Sequence, residues 1–183
     1  FIINSDVALK NTGGISSVVF TLSNGSTVNY NGTTVQNIPF KLGNIGSGGT
    51  TDSVSVNYFN LHTNNTSSSG AVLSAPITAT NVTNYLKVQS GIFSNNNIHA
   101  ITGAAALKVD IAYGGNFIMG GATFTNNNTT AGAISIAGNF QLNQGGFATG
   151  GAAAWVYNNT TSKLTFGYTS TQYTMTALGT EVF

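Results

Sequence analysis

Residues 134–142 read Ile-Ser-Ile-Ala-Gly-Asn-Phe-Gln-Leu, and apolar side chains recur at every second position except at Gly138. Residues 107–113 repeat the pattern, and there the charged Lys108 and Asp110 share the side opposite the apolar residues. A period of two is typical of a β-strand, because successive side chains point to opposite faces. Thr, Val, Ile, Tyr and Phe are frequent while helical patterns are nearly absent, so the sequence predicts an all-β fold.

The segment 27–36 contains the clearest turn signal of the chain. Asn31-Gly32 is the dipeptide favoured by a type I′ turn, in which both central residues have positive φ. The prediction is a β-hairpin in which Val28 lies opposite Val35. Hairpins join antiparallel strands, so this segment favours an antiparallel β-sandwich of the pilin or immunoglobulin type.

Four asparagine doublets recur at nearly even intervals along the chain. They begin at Asn64, Asn95, Asn127 and Asn158, so that the residue number advances by 31, 32 and 31 from one doublet to the next. Such a spacing fits turns at one pole of a sandwich, and it also fits the coil length of a β-solenoid. Because the side chains between the doublets do not align, the antiparallel β-sandwich is the favoured prediction and the β-solenoid is the alternative.

The chain is poor in charge, with five lysines, four acidic residues and no cysteine among 183 residues. An average soluble domain carries about a quarter charged residues, so neutral polar side chains must solvate this surface. No basic cluster is present to bind nucleic acid, and no apolar run is long enough for a membrane span. The first residue is Phe1 rather than Met, which we interpret as the removal of an export signal. We therefore expect an extracellular protein.

Catalytic signals are weak. His62 and His99 are the only imidazoles, and there is no Gly-X-Ser-X-Gly nucleophile motif. No spacing of His, Asp and Glu indicates a metal site, and the glycine pairs lack the following lysine of a phosphate loop. The expectation is a protein without enzymatic activity, cofactor or metal.

The first nine residues form a strand pattern with one apolar face that is interrupted by a small residue. That face comprises Phe1, Ile3, Ser5, Val7 and Leu9. A flexible connection follows up to Gly14, so we divide the chain into residues 1–14, an N-terminal donor strand with its linker, and residues 15–183, the β-sandwich domain. A donor strand would complete the sheet of a neighbouring subunit. The other interpretation is an ordinary first strand within its own domain.

The charge-poor, Asn/Thr/Gly-rich composition and the Phe1–Leu9 pattern resemble the subunits of donor-strand-complemented surface filaments. The resemblance is to the glycosylated thread and bundling pili of thermophilic archaea in particular. It implies a structural subunit of an extracellular pilus or thread that polymerises head-to-tail with identical subunits and carries covalent N-glycans. No penultimate tyrosine or cysteine pair of bacterial chaperone–usher pilins is present.

Most of the sequons of the form Asn-X-Ser/Thr lie at predicted turns, where a glycan can project into water. The candidate sites are Asn24, Asn31, Asn64, Asn65, Asn81, Asn127, Asn128, Asn158 and Asn159. Two glycans on adjacent residues of one doublet would crowd each other.

An alternative function is a carbohydrate- or receptor-binding β-domain of an adhesin or a phage tail. Such a domain would also be glycine-rich and poor in charge. It would be expected to display exposed aromatic side chains next to acidic ones, and the single tryptophan, Trp155, has no acidic neighbour in sequence.

Overall fold

The computed structural model describes residues 2–3, 19–43, 53–94, 99–120, 122–142, 147–149, 155–157 and 163–166. The regular structure of these residues is β-strand, arranged in three sheets. Within the same ranges there is no helix of the length and hydropathy needed to cross a membrane.

The strands divide into a first sheet of nine, a second of six and a third of three. The first sheet contains β1 (Ile2–Ile3), β2 (Val19–Thr21), β3 (Thr27–Tyr30), β5 (Lys41–Gly43), β6 (Ser53–Thr63), β8 (Val82–Val88), β11 (Lys108–Ile111), β14 (Ile134–Ile136) and β17 (Trp155–Tyr157). The second contains β4 (Gln36–Ile38), β7 (Ala71–Leu73), β9 (Gly91–Ser94), β12 (Gly115–Met119), β15 (Asn139–Leu142) and β18 (Lys163–Phe166). The third contains β10 (Ile101–Gly103), β13 (Phe124–Asn126) and β16 (Phe147–Thr149).

The architecture is a β-solenoid. Each coil gives one strand to each sheet in turn, so β8, β9 and β10 form one coil, β11, β12 and β13 the next, and β14, β15 and β16 a third. Every described strand pair is parallel except β5 with β6. The predicted antiparallel β-sandwich is therefore wrong, and the β-solenoid alternative is confirmed. Alternation of apolar and polar residues is common to both architectures, so it could not distinguish them.

The length of a coil is shorter than the spacing of the asparagine doublets. In the second sheet Ala71 pairs with Phe93, Phe93 with Phe117 and Phe117 with Phe140, so the residue number advances by 22, 24 and 23 from coil to coil. The doublets do not mark equivalent points, because Asn64 follows a strand of the first sheet whereas Asn127 follows a strand of the third. The other two doublets lie outside the described residues.

The predicted hairpin at residues 27–36 is also wrong. β3 and β4 belong to different sheets, and each pairs in parallel with a strand of the following coil. Gly32 does not have the positive φ that a type I′ turn requires, and a Cβ on it would lie 2.6 Å from Oε1 of Gln36. Asn31-Gly32 thus forms a corner between two sheets, and Val35, which was predicted to face Val28, is 44% exposed.

The core consists of rows of buried side chains that run along the solenoid axis. In the first sheet one inward row holds an aliphatic residue at the same register position of five successive strands. The row comprises Val28, Leu61, Leu86, Val109 and Ile134, each at most 3% exposed. Of the predicted apolar face of residues 107–113, Leu107, Val109 and Ile111 are confirmed as buried, whereas Tyr113 lies in the turn after β11 and is 77% exposed.

Aromatic rings fill the interior behind the second sheet. Phe93, Phe117 and Phe140 follow one another in register, with ring centroids 4.8 and 5.3 Å apart. Phe124 of the third sheet meets Phe117 and Phe140 edge to face at 5.9 and 5.7 Å. Offset and edge-to-face pairs of this kind stabilise a core beyond the area they bury. This aromatic column joins two of the three sheets.

At the corners, buried asparagines satisfy backbone groups that leave the strand ladders. Nδ2 of Asn126 and of Asn128 both donate to the carbonyl of Leu107, at 3.3 and 3.0 Å. Their side-chain oxygens accept from the backbone amides of Asn128 and Thr130, both at 2.9 Å. Successive strands of a parallel coil are not joined by hairpins, so the backbone groups at a corner have no partner strand. The asparagine side-chain amides form hydrogen bonds with these backbone groups instead.

The doublet Asn127-Asn128 allows a matched test of this role. Asn128 is buried and makes the corner bonds, whereas its neighbour Asn127 is exposed. In unglycosylated protein, Asn128→Ala removes one acceptor and one donor in the core, and we expect it to lower the free energy of unfolding by about 2–4 kcal/mol. Asn127→Ala should change it by less than about 0.5 kcal/mol. Urea denaturation measures both, and equal effects of the two substitutions would contradict the assigned role.

Candidate functional site

The outer face of the first sheet gathers most of the ionisable side chains that the structure describes. On β6, β8 and β11 the buried Leu61, Leu86 and Val109 are each followed by a residue that points outward. These outward residues are His62, Lys87 and Asp110, and the parallel register aligns them across three neighbouring strands. The alternation that fills the core thus also creates a polar row on the surface.

Tyr85, two residues before Lys87 on β8, completes a compact group. Its hydroxyl donates to Oδ2 of Asp110 at 3.2 Å, and Nζ of Lys87 lies 3.3 Å from the same oxygen. The rings of Tyr85 and His62 meet edge to face with centroids 5.6 Å apart. We refer to His62, Tyr85, Lys87 and Asp110 as the polar cluster.

Partial burial shifts the pKa values of two members of the cluster, His62 and Tyr85. Burial lowers the pKa of His62 below its usual 6.5, the charge of Lys87 lowers it further, and the charge of Asp110 opposes both. Burial also raises the pKa of Tyr85 to about 12, with further contributions from the charge of Asp110 and from its hydrogen bond. At neutral pH the cluster therefore holds an uncharged imidazole and a protonated phenol beside one ion pair. The side chains of that pair are 28% and 20% exposed, so the pair by itself stabilises the fold only slightly.

Two buried polar atoms, one in the cluster and one beside it, lack partners among the described residues. Nε2 of His62 and Oδ1 of Asn29 are buried and make no hydrogen bond within the described structure. Asn29 is the register neighbour of His62 on β3. A buried polar atom without a partner destabilises a fold, so each of these two atoms calls for an explanation such as a bound water or ion.

The described residues show no metal-binding cluster. Among them, no group of three or more His, Cys, Asp or Glu side chains lies close enough together to hold a metal ion. His99, the second histidine, lies in the segment between β9 and β10, away from the strands that carry the cluster. The polar cluster offers hydrogen-bonding groups and one ion pair rather than a set of metal ligands.

The predicted glycosylation sites divide by burial. Asn24, Asn31 and Asn127 are exposed. Asn64 and Asn81 are half-buried, and Nδ2 of each donates a hydrogen bond, to Oδ1 of Asn31 at 3.0 Å and to the carbonyl of Pro76 at 3.0 Å.

The remaining sequons are buried or undescribed. Asn65 is fully buried, and its Nδ2 donates to Oε1 of Gln36 at 2.9 Å and to the carbonyl of Thr34 at 2.8 Å. Asn128 is 2% exposed and makes the corner bonds described above. Asn158 and Asn159 lie outside the described residues. Among the sequons that the structure describes, the three exposed ones have a free path to a glycan.

The predicted donor strand is described at two residues. Ile2 and Ile3 form β1, which pairs in parallel with Asn29 and Tyr30 of β3. Phe1, Ser5, Val7 and Leu9 lie outside the described residues. The backbone of Ile3 thus lies at the edge of the first sheet, and β3 separates it from β6, the strand that carries His62.

Sequence reasoning did not find the polar cluster. It placed Lys108 and Asp110 together on the outward side of one strand, which is confirmed, but Lys87 and His62 are separated from Asp110 by 23 and 48 positions. A correct coil length would have revealed the cluster, because Leu61-His62, Leu86-Lys87 and Val109-Asp110 are the same aliphatic-polar pair repeated once per coil.

No protein-family model, curated protein or solved structure matches this chain.

The ionisation of His62 can be tested by its neighbours. We expect the imidazole resonances to titrate below pH 6.5, because burial and Lys87 both disfavour the proton. Lys87→Met should raise the pKa of His62 by removing a repulsive charge, and Asp110→Asn should lower it by removing an attractive one. Two-dimensional NMR across the pH range measures all three. Shifts of the same sign in both variants would show that the assigned causes are incorrect.

The same shift makes stability depend on pH. A depressed pKa in the folded state means that the unfolded chain binds the proton first as pH falls. The contribution of His62 is therefore fully present well above pH 6.5 and declines as pH falls from 6.5 toward the folded pKa. Urea midpoints at about pH 7.5 and pH 5 should differ more for the wild type than for His62→Gln.

Glycan placement gives a further prediction. Protein isolated from its native source should exceed the 18.8 kDa of the bare chain by several glycan masses. Peptide mapping should find the glycans on Asn24, Asn31 or Asn127, because these side chains are exposed, and should find Asn65 and Asn128 unmodified. A native mass equal to that of the polypeptide would rule out glycosylation.

Proposed function

We propose that this chain is a structural subunit of an extracellular surface filament, assembled from identical subunits and N-glycosylated at exposed corners. Three features support the proposal. The chain has few charged residues, the buried rows and ladders of the described strands run along one axis, and an N-terminal strand lies at the edge of a sheet. A solenoid exposes backbone edges only at its two ends, so a further strand from another chain would extend it along that axis.

The observation that carries the proposal is the edge position of β1, which in this single chain pairs with its own β3 as an ordinary first strand would. Ile2 and Ile3 add in parallel to Asn29 and Tyr30 at the edge of the first sheet, separated in sequence from β3 by more than twenty residues. The same register on β3 can be taken by the N-terminal strand of a neighbouring subunit, because exchange of an identical element costs little. Main-chain hydrogen bonds would supply affinity, as in other strand additions.

This mode of assembly differs from the one that the sequence suggested. A sandwich that lacks one strand would receive the donor in an apolar groove between two sheets, and the described fold has no such pair of facing antiparallel sheets. In the proposed filament the donor instead adds to a sheet edge. The linker that follows Leu9 must then bridge two subunits rather than return to its own.

Strand exchange predicts a clear effect of the N-terminal segment. Deletion of residues 1–9 should abolish filaments, and the peptide Phe1–Leu9 added in trans should bind the truncated subunit and raise its melting temperature by mass action. Negative-stain microscopy follows assembly, and thermal denaturation with increasing peptide follows binding. A truncated protein that still forms wild-type filaments would refute the proposed role of the strand.

A matched pair of substitutions separates the effect of position in the strand from the effect of the added charge. Ile3→Asp and Asn4→Asp add the same charge at adjacent positions of the segment. On the alternating pattern Ile3 belongs to the apolar face, where an unpaired charge disfavours burial, while Asn4 belongs to the other. We expect Ile3→Asp to prevent assembly and Asn4→Asp to leave it largely intact. A stable, monodisperse wild-type monomer with residues 1–9 protected from exchange in its own sheet would decide against the filament.

A further inference from the structure

The charged side chains that the structure describes lie on one surface. Among the side chains whose burial the structure describes, the formally charged ones are Lys87, Lys108 and Asp110, and all three project from the outer face of β8 and β11. In a protein with nine charged residues in 183, this is the one described surface on which charge can select a ligand.

Within the polar cluster the charge of Asp110 is balanced by Lys87, whereas the neighbouring Lys108 has no ion-pair partner among the described residues. Asp110 accepts from the Tyr85 hydroxyl and faces Nζ of Lys87, so its charge is compensated within the cluster. Lys108 is exposed, and the described structure gives it no ion pair. The face therefore presents a single available positive charge next to a neutralised network, which suits a ligand with isolated negative groups.

An aromatic ring adjoins that cation. Tyr85 and Lys108 are register partners on neighbouring strands, which lie about 4.8 Å apart. Tyr85 is held from two sides, by the ring of His62 and by the hydrogen bond to Asp110. A half-buried, oriented tyrosine offers an apolar ring surface with a fixed position, which is what the carbon–hydrogen face of a sugar ring contacts.

Hydrogen-bonding side chains continue the same row toward the N-terminal coils. Asn60 is the register partner of Tyr85 on β6, and its Nδ2 donates to Oγ1 of Thr27 at 3.1 Å. Asn84 donates to Oδ1 of Asn60 at 2.7 Å. The row of Thr27, Asn60, Tyr85 and Lys108 thus presents a hydroxyl, an amide, an aromatic ring and a cation at successive coils.

We propose that this row binds a linear polysaccharide that carries carboxylates, lying along the solenoid axis with Lys108 on a carboxylate and Tyr85 against a sugar ring. The coil spacing is comparable to the length of one pyranose residue, so successive sugars can meet successive coils. A nucleic acid fits less well, because its affinity depends on several cations acting together. A peptide strand fits less well, because β8 and β11 are paired on both sides and present no free backbone edge.

The direct test is titration of the full chain with a hexamer of galacturonic acid, followed by calorimetry or NMR. The fully methyl-esterified hexamer is the neutral control, and inorganic hexametaphosphate is the generic anion. We expect saturable binding of the acidic hexamer alone. A carboxylate at Lys108 also lies near the polar cluster, so binding should raise the pKa of His62, a readout that a contact elsewhere would not move.

Matched variants locate the site. Lys108→Gln should weaken binding roughly tenfold, since it removes a charge-assisted hydrogen bond, and Lys108→Arg should retain it. Tyr85→Ala should weaken binding, Tyr85→Phe should retain most of it because the ring remains, and Tyr113→Ala should have no effect because that exposed tyrosine lies in a turn away from the row. Circular dichroism checks that each variant is folded.

Three results would overturn the proposal. The first is no saturable binding of the acidic hexamer up to about 1 mM. The second is equal binding of hexametaphosphate, which would indicate only non-specific attraction to a lysine. The third is unchanged affinity in both Lys108→Gln and Tyr85→Ala. Filament formation is not required for any of these measurements, so their outcome is independent of the function proposed above.

Discussion

In-register stacking of successive coils is the constraint on which this molecule depends. The inward position of Leu61 recurs once per coil from β6 to β14, so that an aliphatic residue in one coil lies beneath an aliphatic residue in the next. The phenylalanine column obeys the same rule in the second sheet. Because each coil contacts mainly its two neighbours, the stability of the fold is close to a sum of such contacts. The interior therefore depends on coil length as much as on composition.

The turns between sheets determine whether successive coils can keep a constant length. Three sheets require three changes of direction per coil, and each leaves backbone groups without strand partners. Asn126 and Asn128 satisfy some of them with amide side chains. Glycine is required where the backbones of two coils approach too closely for a Cβ atom. A Cβ at Gly91, where φ is +69°, would lie 1.8 Å from the carbonyl oxygen of Asn65, and one at Gly138 would lie 2.3 Å from that of Gly115. The abundance of Asn and Gly thus reflects close stacking of coils, in addition to any glycans.

Local patterns in the sequence predicted the strands well and their partners poorly. The outward and inward sides of β11 followed from alternation alone, because the two faces of a strand differ whatever lies beside it. The hairpin failed because Asn31-Gly32 reports a local preference, while Gln36 and Asn65 meet only after a whole coil. The asparagine doublets suggested a false period, since Asn64 and Asn127 lie at different corners of the coil. The polar cluster was out of reach for the same reason, because its members join only when the register is known.

Core and surface of the first sheet are specified by the same residues of the chain. His62, Lys87 and Asp110 each follow directly on a buried aliphatic residue, so one register aligns both rows. A slip of one residue in any of these strands would turn a charge or an imidazole inward and an aliphatic side chain outward. Such a slip would destroy the polar cluster and the core together. The buried aliphatic row therefore fixes the positions of the outward side chains, although its own side chains do not reach the surface. The rigid aliphatic stacking that makes this chain a solenoid is therefore also what gives its one described charged surface a fixed geometry.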